Sequence, residues 1–344
     1  MSPLTTMLLL FSLGMGTTLT MTSHHWLMAW IGLEINTLAI IPIISKQHHP
    51  RATEATTKYF LTQAAASALI LFSSTMNAWT TGTWDISQMT NPTATTLLTT
   101  ALAMKLGLAP MHLWLPEVLQ GSTMNTALII TTWQKLAPMS LIYLTANNLS
   151  PTILLLTGIL SSLVGGWGGL NQTQTRKLMA YSSIAHLGWM ATIATMMPNI
   201  LILTLMTYIL MTTTMFMTLT TTKSKTLQDM AMAWTTSPTL TSISLLTLLS
   251  LGGLPPLTGF MPKWLILEEL TLQNLTPTAT TLAMSTLLSL FFYLRLTYVT
   301  TLTMAPNTTP TKHKWRFKTP PSKLLTTTTT TTLFLLPLTP LLTS

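Results

Sequence analysis

The chain is a succession of apolar windows, each about as long as a bilayer is thick, and that pattern leaves few folds open to it. A helix needs about 20 residues to cross the hydrocarbon core. Windows of that size read as helices over residues 3–21, 25–45, 56–78, 93–111, 123–146, 151–170, 177–197, 199–221, 239–268, 277–299 and 324–343. Asp, Glu, Lys and Arg make up only 7% of the 344 residues, against roughly 25% in soluble domains, too few to cover a water-facing surface. Lipid must be the solvent for most of the chain, and in lipid every backbone polar group is satisfied internally. The expectation is an all-α polytopic membrane protein of eleven transmembrane helices, with residues 1–344 in a single membrane domain. Many windows are rich in Thr and Ser, whose hydroxyls can bond back to a carbonyl one turn earlier. The run from Thr326 to Thr332 is the extreme case.

The basic residues test the count, because Lys and Arg collect on one side of a membrane. With eleven crossings, Lys46, Arg51, Lys58, Arg176, Lys177, Lys223, Lys225, Arg295, Lys312, Lys314, Arg316, Lys318 and Lys323 all fall on the side of the N-terminus, and no loop on the other side holds one. The C-terminus is expected opposite the N-terminus. The opening "MSPLTTMLLLFSLGMG" has neither a basic n-region nor an Arg-rich transit pattern, and reads as the first span. The net charge of +9 is therefore a topology signal. No basic face interleaved with aromatics points to nucleic acid as a partner. Loop 300–323, where basic and aromatic residues mix, suits an interfacial anchor on anionic lipid. The absence of cysteine excludes disulfides, thiolate metal sites and iron–sulfur clusters. The glycines of "GGWGG" (165–169) lack the strand-loop-helix context of a phosphate loop and suit close helix packing or a turn.

A charge at the bilayer centre costs about 2.5–3.5 kcal/mol on insertion scales, so ionisable residues inside spans are functional candidates. Four stand out: Glu34 in "WIGLEINTLAI", Lys105 in "ALAMKLGLAP", Lys135 in "TTWQKLAPMS" and Lys263 in "FMPKWLILEEL". Their bland alternative is snorkelling to an interface. Lys105 and Lys263 lie beside helix breaks: "LGLAPMH", with Pro110, interrupts the fourth span, and "SLGGLPPLTGFMPK", with Pro255 and Pro256, interrupts the ninth. Interrupted segments at corresponding positions in two halves point to a transporter-like site between inverted repeats. The repeats are expected over 1–146 and 151–299, followed by the polar loop 300–323 and a last helix at 324–343. His186 shares a helix face with Ser182. It fits either a satisfied core histidine or a proton relay. His112 is the weaker candidate and fits a cap on its break equally well.

The stretches "EATTKYFLTQAAAS", "AMKLGLAPMHLWLPEVLQG", "WGGLNQTQTRKLMAYSSIAHLGWM" and "SLGGLPPLTGFMPKW" resemble the antiporter-like membrane-arm subunits of respiratory complex I, NADH:ubiquinone oxidoreductase, in its chain 2 family. The likeness covers almost the whole chain and weakens over 300–344. It implies a multi-pass protein of the mitochondrial inner membrane, with the N-terminus and basic loops on the matrix side and the C-terminus on the intermembrane-space side. It also implies a proton-conducting axis in the membrane plane: a charged pair at Glu34 and Lys105, a central lysine at Lys135, a connecting histidine at His186 and a far-side group at Lys263. NADH, flavin, iron–sulfur clusters and ubiquinone are expected in partner subunits, with no cofactor and no metal in this chain. The expected partners are other membrane-arm and accessory subunits and membrane lipids. Relative to larger bacterial relatives the chain lacks three N-terminal helices, and some related subunits carry an acid where Lys263 stands. Two other readings stay open: a free-standing cation/proton antiporter, which the scarcity of acidic groups in the spans disfavours, and a purely structural membrane-arm subunit.

Overall fold

The computed structural model describes residues 2–302 and 323–339, all of whose regular structure is helical, with isolated bridges but no strand among the described residues. The chain divides into two compact units, Met1–Ser161 with Met190–Pro198, and Ser162–Trp189 with Asn199–Ser344.

In the first unit, α1 (Pro3–Thr22) starts at Ser2, whose hydroxyl accepts the Thr5 N–H at 3.2 Å ahead of a proline in the first turn. It crosses α2 (Trp26–Ile44) at a point of small residues. A Cβ on Gly16 would stand 2.8 Å from the Gly32 carbonyl, and one on Gly32 would stand 2.8 Å from the Gly16 carbonyl. Backbones approach this closely in membranes only where side chains are missing. Helix α3 (Pro50–Thr81) packs on α2 and on α4 (Pro92–Leu106) and α5 (Trp114–Gly121). It is longer than the expected 56–78 because its first turns carry Arg51, Glu54 and Lys58, which a hydropathy window discounts. Lys58 Nζ reaches Glu54 on its own helix at 2.5 Å and Glu117 of α5 at 2.6 Å. The unit continues through α6 (Met124–Thr131) and α7 (Trp133–Thr145) into α8 (Pro151–Gly169).

The second unit takes up the end of α8, then α9 (Thr175–Ile193) as far as Trp189, α10 (Pro198–Thr222), α11 (Leu227–Thr236), α12 (Pro238–Gly252), α13 (Phe260–Leu272), α14 (Thr276–Thr301) and α15 (Lys323–Phe334). The "GGWGG" glycines lie in α8, where a Cβ on Gly165 would meet the backbone of Ala185 and one on Gly169 the ring of Phe292. Helix α15 contains the threonine run. Each hydroxyl from Thr326 to Thr332 donates to a carbonyl three or four residues earlier, which hides its polarity inside the helix.

Six helices among the described residues are long and apolar enough to cross a membrane: α1, α2, α3, α8, α10 and α14. The other five windows hold helices that are interrupted, shorter or more polar. The fourth ends at Leu106, short of the expected 111, because Gly107 turns left-handed at φ +78° and gives its N–H back to Ala103 and Met104. The fifth, expected unbroken over 123–146, parts at Thr132 (φ −108°, ψ −68°). The ninth is α12 plus α13, extending to Leu272. Most of the loop expected at 300–323, and the last residues of the window at 324–343, fall outside the described residues.

Candidate functional site

Breaking a helix exposes carbonyls that have lost their partners four residues on, and the two breaks that turn at Gly107 and Gly253 are each met by a lysine. In the first unit α4 stops at Leu106, and the Leu106 carbonyl accepts a 2.5 Å hydrogen bond from Lys135 Nζ, which reaches it from α7. Lys135 is 1% exposed, so its ammonium is held by this bond and by the ring of Trp114, 5.4 Å from Nζ to centroid. The Trp114 indole in turn donates to the Met104 carbonyl at 3.3 Å, tying α5 to the end of α4. In the second unit α12 ends before Gly253, at φ +81°, and Lys263 of α13 donates to the Gly252 carbonyl at 2.8 Å.

Lys105 is also buried, 4% exposed, yet its Nζ has no hydrogen-bond partner. Glu34 is half-buried on α2, and its Oε2 likewise has none. The two act on each other electrostatically, but among the described residues the only ion pairs are those of Lys58. The charged pair expected at Glu34 and Lys105 is therefore a through-space pair in this structure, not a closed salt bridge. His112 sits in the first break with Nδ1 3.2 Å from the Pro110 carbonyl, and the Ala109–Pro110 bond is cis. Pro255 and Pro256 are exposed in the second break.

His186 on α9 packs against Tyr208 of α10, ring centroids 5.6 Å apart, within electrostatic reach of Lys263. Ser182 and Ser183 one turn earlier donate to the Met179 and Ala180 carbonyls at 2.8 and 2.7 Å. Their oxygens remain free to accept, and Ser183 pairs with the buried hydroxyl of Tyr208 while Tyr293 of α14 faces Ser182. Sequence reasoning missed Trp114, both tyrosines and the two carbonyls. It also passed over Asn36, Gln63 and Gln134, which line a small cavity with Lys105 and Lys135. Only the tyrosines carried a signal, being rare polar aromatics inside apolar windows. Among the described residues no cluster of His, Asp or Glu could hold a metal.

Buried lysines set at broken helix ends in an otherwise apolar helical chain define a class: polytopic membrane proteins that move or sense charge within the bilayer. The family follows from comparison. Residues 23–289 match the model of the NADH:quinone oxidoreductase/Mrp antiporter transmembrane family, and residues 290–343 match that of the NADH dehydrogenase subunit 2 C-terminus. The chain is 58% identical over 341 residues to NADH-ubiquinone oxidoreductase chain 2 of Carassius auratus, covering 99% of this chain and 98% of that one. It is 59% identical over 343 residues to the same-named chain of Varanus timorensis, covering 99% of each. A chain of respiratory complex I from Thermus thermophilus superposes with a TM-score of 0.85 at 28% identity, covering 96% of this chain and 77% of that one. A chain of the Mrp complex from a Dietzia species shares the fold, with a TM-score of 0.80 at 15% identity over 97% of this chain and 75% of that one. The chain belongs to the NADH-ubiquinone oxidoreductase chain 2 family.

Proposed function

We propose that this chain is a core membrane-arm subunit of respiratory complex I in the mitochondrial inner membrane, where it contributes to proton translocation driven by electron transfer from NADH to ubiquinone in partner subunits. The reading is supported by the buried Lys135 ammonium, bound to the carbonyl that the first break releases. An ammonium with one protein hydrogen bond and an aromatic face can give up its proton to a neighbouring base without unpicking a network, while the carbonyl that the break frees holds the charged form in place. Glu34 and Lys105 stand as the switch: a through-space pair whose opening or closing changes the field at Lys135. A proton taken up at Lys135 then visits His186 and Lys263, in the order of the family's axis. Moving one charge against the potential requires about 2.3 kcal/mol per 100 mV. This chain supplies positions for the proton, while the drive, with flavin, iron–sulfur clusters and quinone, belongs to its partners.

The topology proposed with it is eleven crossings, the interrupted windows counting as one each. Two inverted five-helix repeats span 1–146 and 151–299, the basic loops and N-terminus face the matrix, and the C-terminus faces the intermembrane space. Lys135→Met in the assembled complex tests the reading. The expected result is a lower proton-to-electron ratio or slowed coupled turnover with assembly intact. An unchanged ratio and turnover would remove Lys135 from the mechanism, and lost assembly with normal pumping per electron in what remains would favour a structural role.

A further inference from the structure

Helix α5 is too short to hold itself in place. Its 8 residues fall short of the roughly 12–15 below which an isolated helix is marginal. Leu113 gives it no side-chain cap, and it ends at Ser122, whose backbone is extended. Neighbouring helices must therefore fix it. Leu115, Pro116, Val118 and Leu119 bury its inner face, but apolar burial is non-directional and leaves rotation and sliding open.

A second stripe sets the register. Trp114, Glu117 and Gly121 recur at i, i+3 and i+7, one face of a helix, and each meets α3. The Trp114 ring meets Tyr59 edge-on, with centroids 5.8 Å apart. Glu117 Oε2 lies 2.6 Å from Lys58 Nζ. A Cβ on Gly121 would stand 2.6 Å from the Arg51 carbonyl and from Ala55 Cβ, so the two helices touch there backbone to backbone. Glu54, one turn before Lys58 on α3, holds the same ammonium at 2.5 Å, and the three donors of a lysine serve both carboxylates at once. The outer part of this stripe is exposed at Glu54, Lys58 and Glu117. Its inner end is the buried Trp114, the ring that Lys135 Nζ faces at 5.4 Å and the indole that holds the Met104 carbonyl.

We infer that Lys58 is a positioning residue: with Glu54 and Glu117 it latches α5 to α3 in the register that sets the Trp114 ring against the Lys135 ammonium. Opening the latch frees α5 to turn or slide on its apolar face, and Trp114 leaves Lys135 with it. An exposed ion pair thus controls the surroundings of a buried charge through one short helix. Its effect on pumping rests on the relay proposed above; the latch itself does not.

The test uses the assembled complex, native and with Lys58→Met, Lys58→Arg or the exchange Lys58→Glu with Glu117→Lys, which moves the cation to α5 and leaves two carboxylates on α3. Amide exchange over residues 114–121 should quicken by about twofold to thirtyfold in Lys58→Met, the range for losing two exposed ion pairs. Density maps should show Trp114 displaced from Lys135 in that variant, and pumping per electron should fall. Lys58→Arg and the exchanged pair should each recover most of all three, because both keep a cation between two carboxylates across the same helices. If Lys58→Met does not assemble, Glu117→Gln, changed at an exposed position that keeps the Glu54 pair, carries the same comparison. Native exchange and an unmoved Trp114 in the uncharged variant overturn the inference. So does recovery by arginine but not by the exchanged pair, since the cation at position 58 would then matter and the pairing would not. A Trp114 that moves in Lys58→Met, in a complex whose pumping ignores Lys135→Met, refutes the relay and leaves the latch standing.

Discussion

Replacing Gly253 by alanine separates the two demands that the second break makes on that residue. Its backbone is left-handed, φ +81°, which costs a residue bearing a Cβ about 1–2 kcal/mol. The added Cβ would also stand 2.7 Å from Lys263 Nζ and 3.0 Å from its Cδ, and that Nζ is the one bonded to the Gly252 carbonyl at 2.8 Å. The lysine is the flexible partner, so it moves, and moving it forfeits a hydrogen bond from a charged donor worth about 1.5–3 kcal/mol. Together these disfavour the native break by about 2.5–5 kcal/mol. Gly107→Ala is the internal control. Its φ is +78°, but the nearest atoms to its Cβ are Leu115 Cδ1 and Trp114 Cζ2 at 3.3 Å, which need give by only a few tenths of an ångström, so the backbone cost of about 1–2 kcal/mol dominates.

Amide hydrogen exchange in the assembled complex reads the difference directly, because about 1.4 kcal/mol is a tenfold change in opening. Protection over residues 249–263 should fall by about sixtyfold to several thousandfold in Gly253→Ala, and over 103–115 by about tenfold in Gly107→Ala. The proton-to-electron ratio should fall in step with the loss at the second break. Gly253→Asn sharpens the test, since asparagine tolerates the left-handed region but keeps the Cβ. If Gly253→Asn exchanged like the native complex, or the two alanine variants opened equally, the clash with Lys263 would not be what fixes this residue as glycine.

Two further outcomes follow from the described packing. Gly32→Val should lower the midpoint of detergent-induced dissociation of the complex, by a cost of about 1–3 kcal/mol for overpacking, because its Cβ would meet Thr20 Cγ2 at 2.7 Å and the Gly16 carbonyl at 2.8 Å. Gly14→Val, with nothing within 4 Å of its Cβ, should leave the midpoint unchanged. Asp229, in the loop helix α11, is pushed up by partial burial, but this is outweighed by the Lys225 and Thr226 N–H groups, each 2.9 Å from its Oδ2, by the Thr226 side chain and by the Lys225 charge, so its pKa lies below the usual aspartate value. Because the folded value is depressed, its contribution is fully present above the unfolded pKa of about 3.9 and is lost as pH falls through the folded one. Exchange protection of α11 should therefore decline on acidification below about pH 4, and Asp229→Asn should abolish that dependence.

The parts of this protein that its sequence discloses are those that cost energy in lipid. A lysine amid leucines, or a proline pair amid a span, stands out because the bilayer penalises it, and Lys105, Lys135, Lys263, Pro110 and Pro255 were all legible for that reason. Their partners were not. The Leu106 and Gly252 carbonyls belong to every residue alike, and only the left-handed turns at Gly107 and Gly253 free them. Asn36, Gln63 and Gln134 are single neutral polar residues on different helices, with no period to link them until the helices pack. Thr132 resembles the many threonines that sit quietly in their helices. The assignment of lysines to breaks was hidden for a further reason. Lys263 caps a break 11 residues before it on the other half of its own interrupted span, whereas the first break is capped from a following helix, 29 residues on, by Lys135. Sequence proximity assigned Lys105 to its break, but the carbonyl there is already taken. Lys105 is left as the buried amine with no hydrogen-bond acceptor in the protein, within electrostatic reach of Glu34.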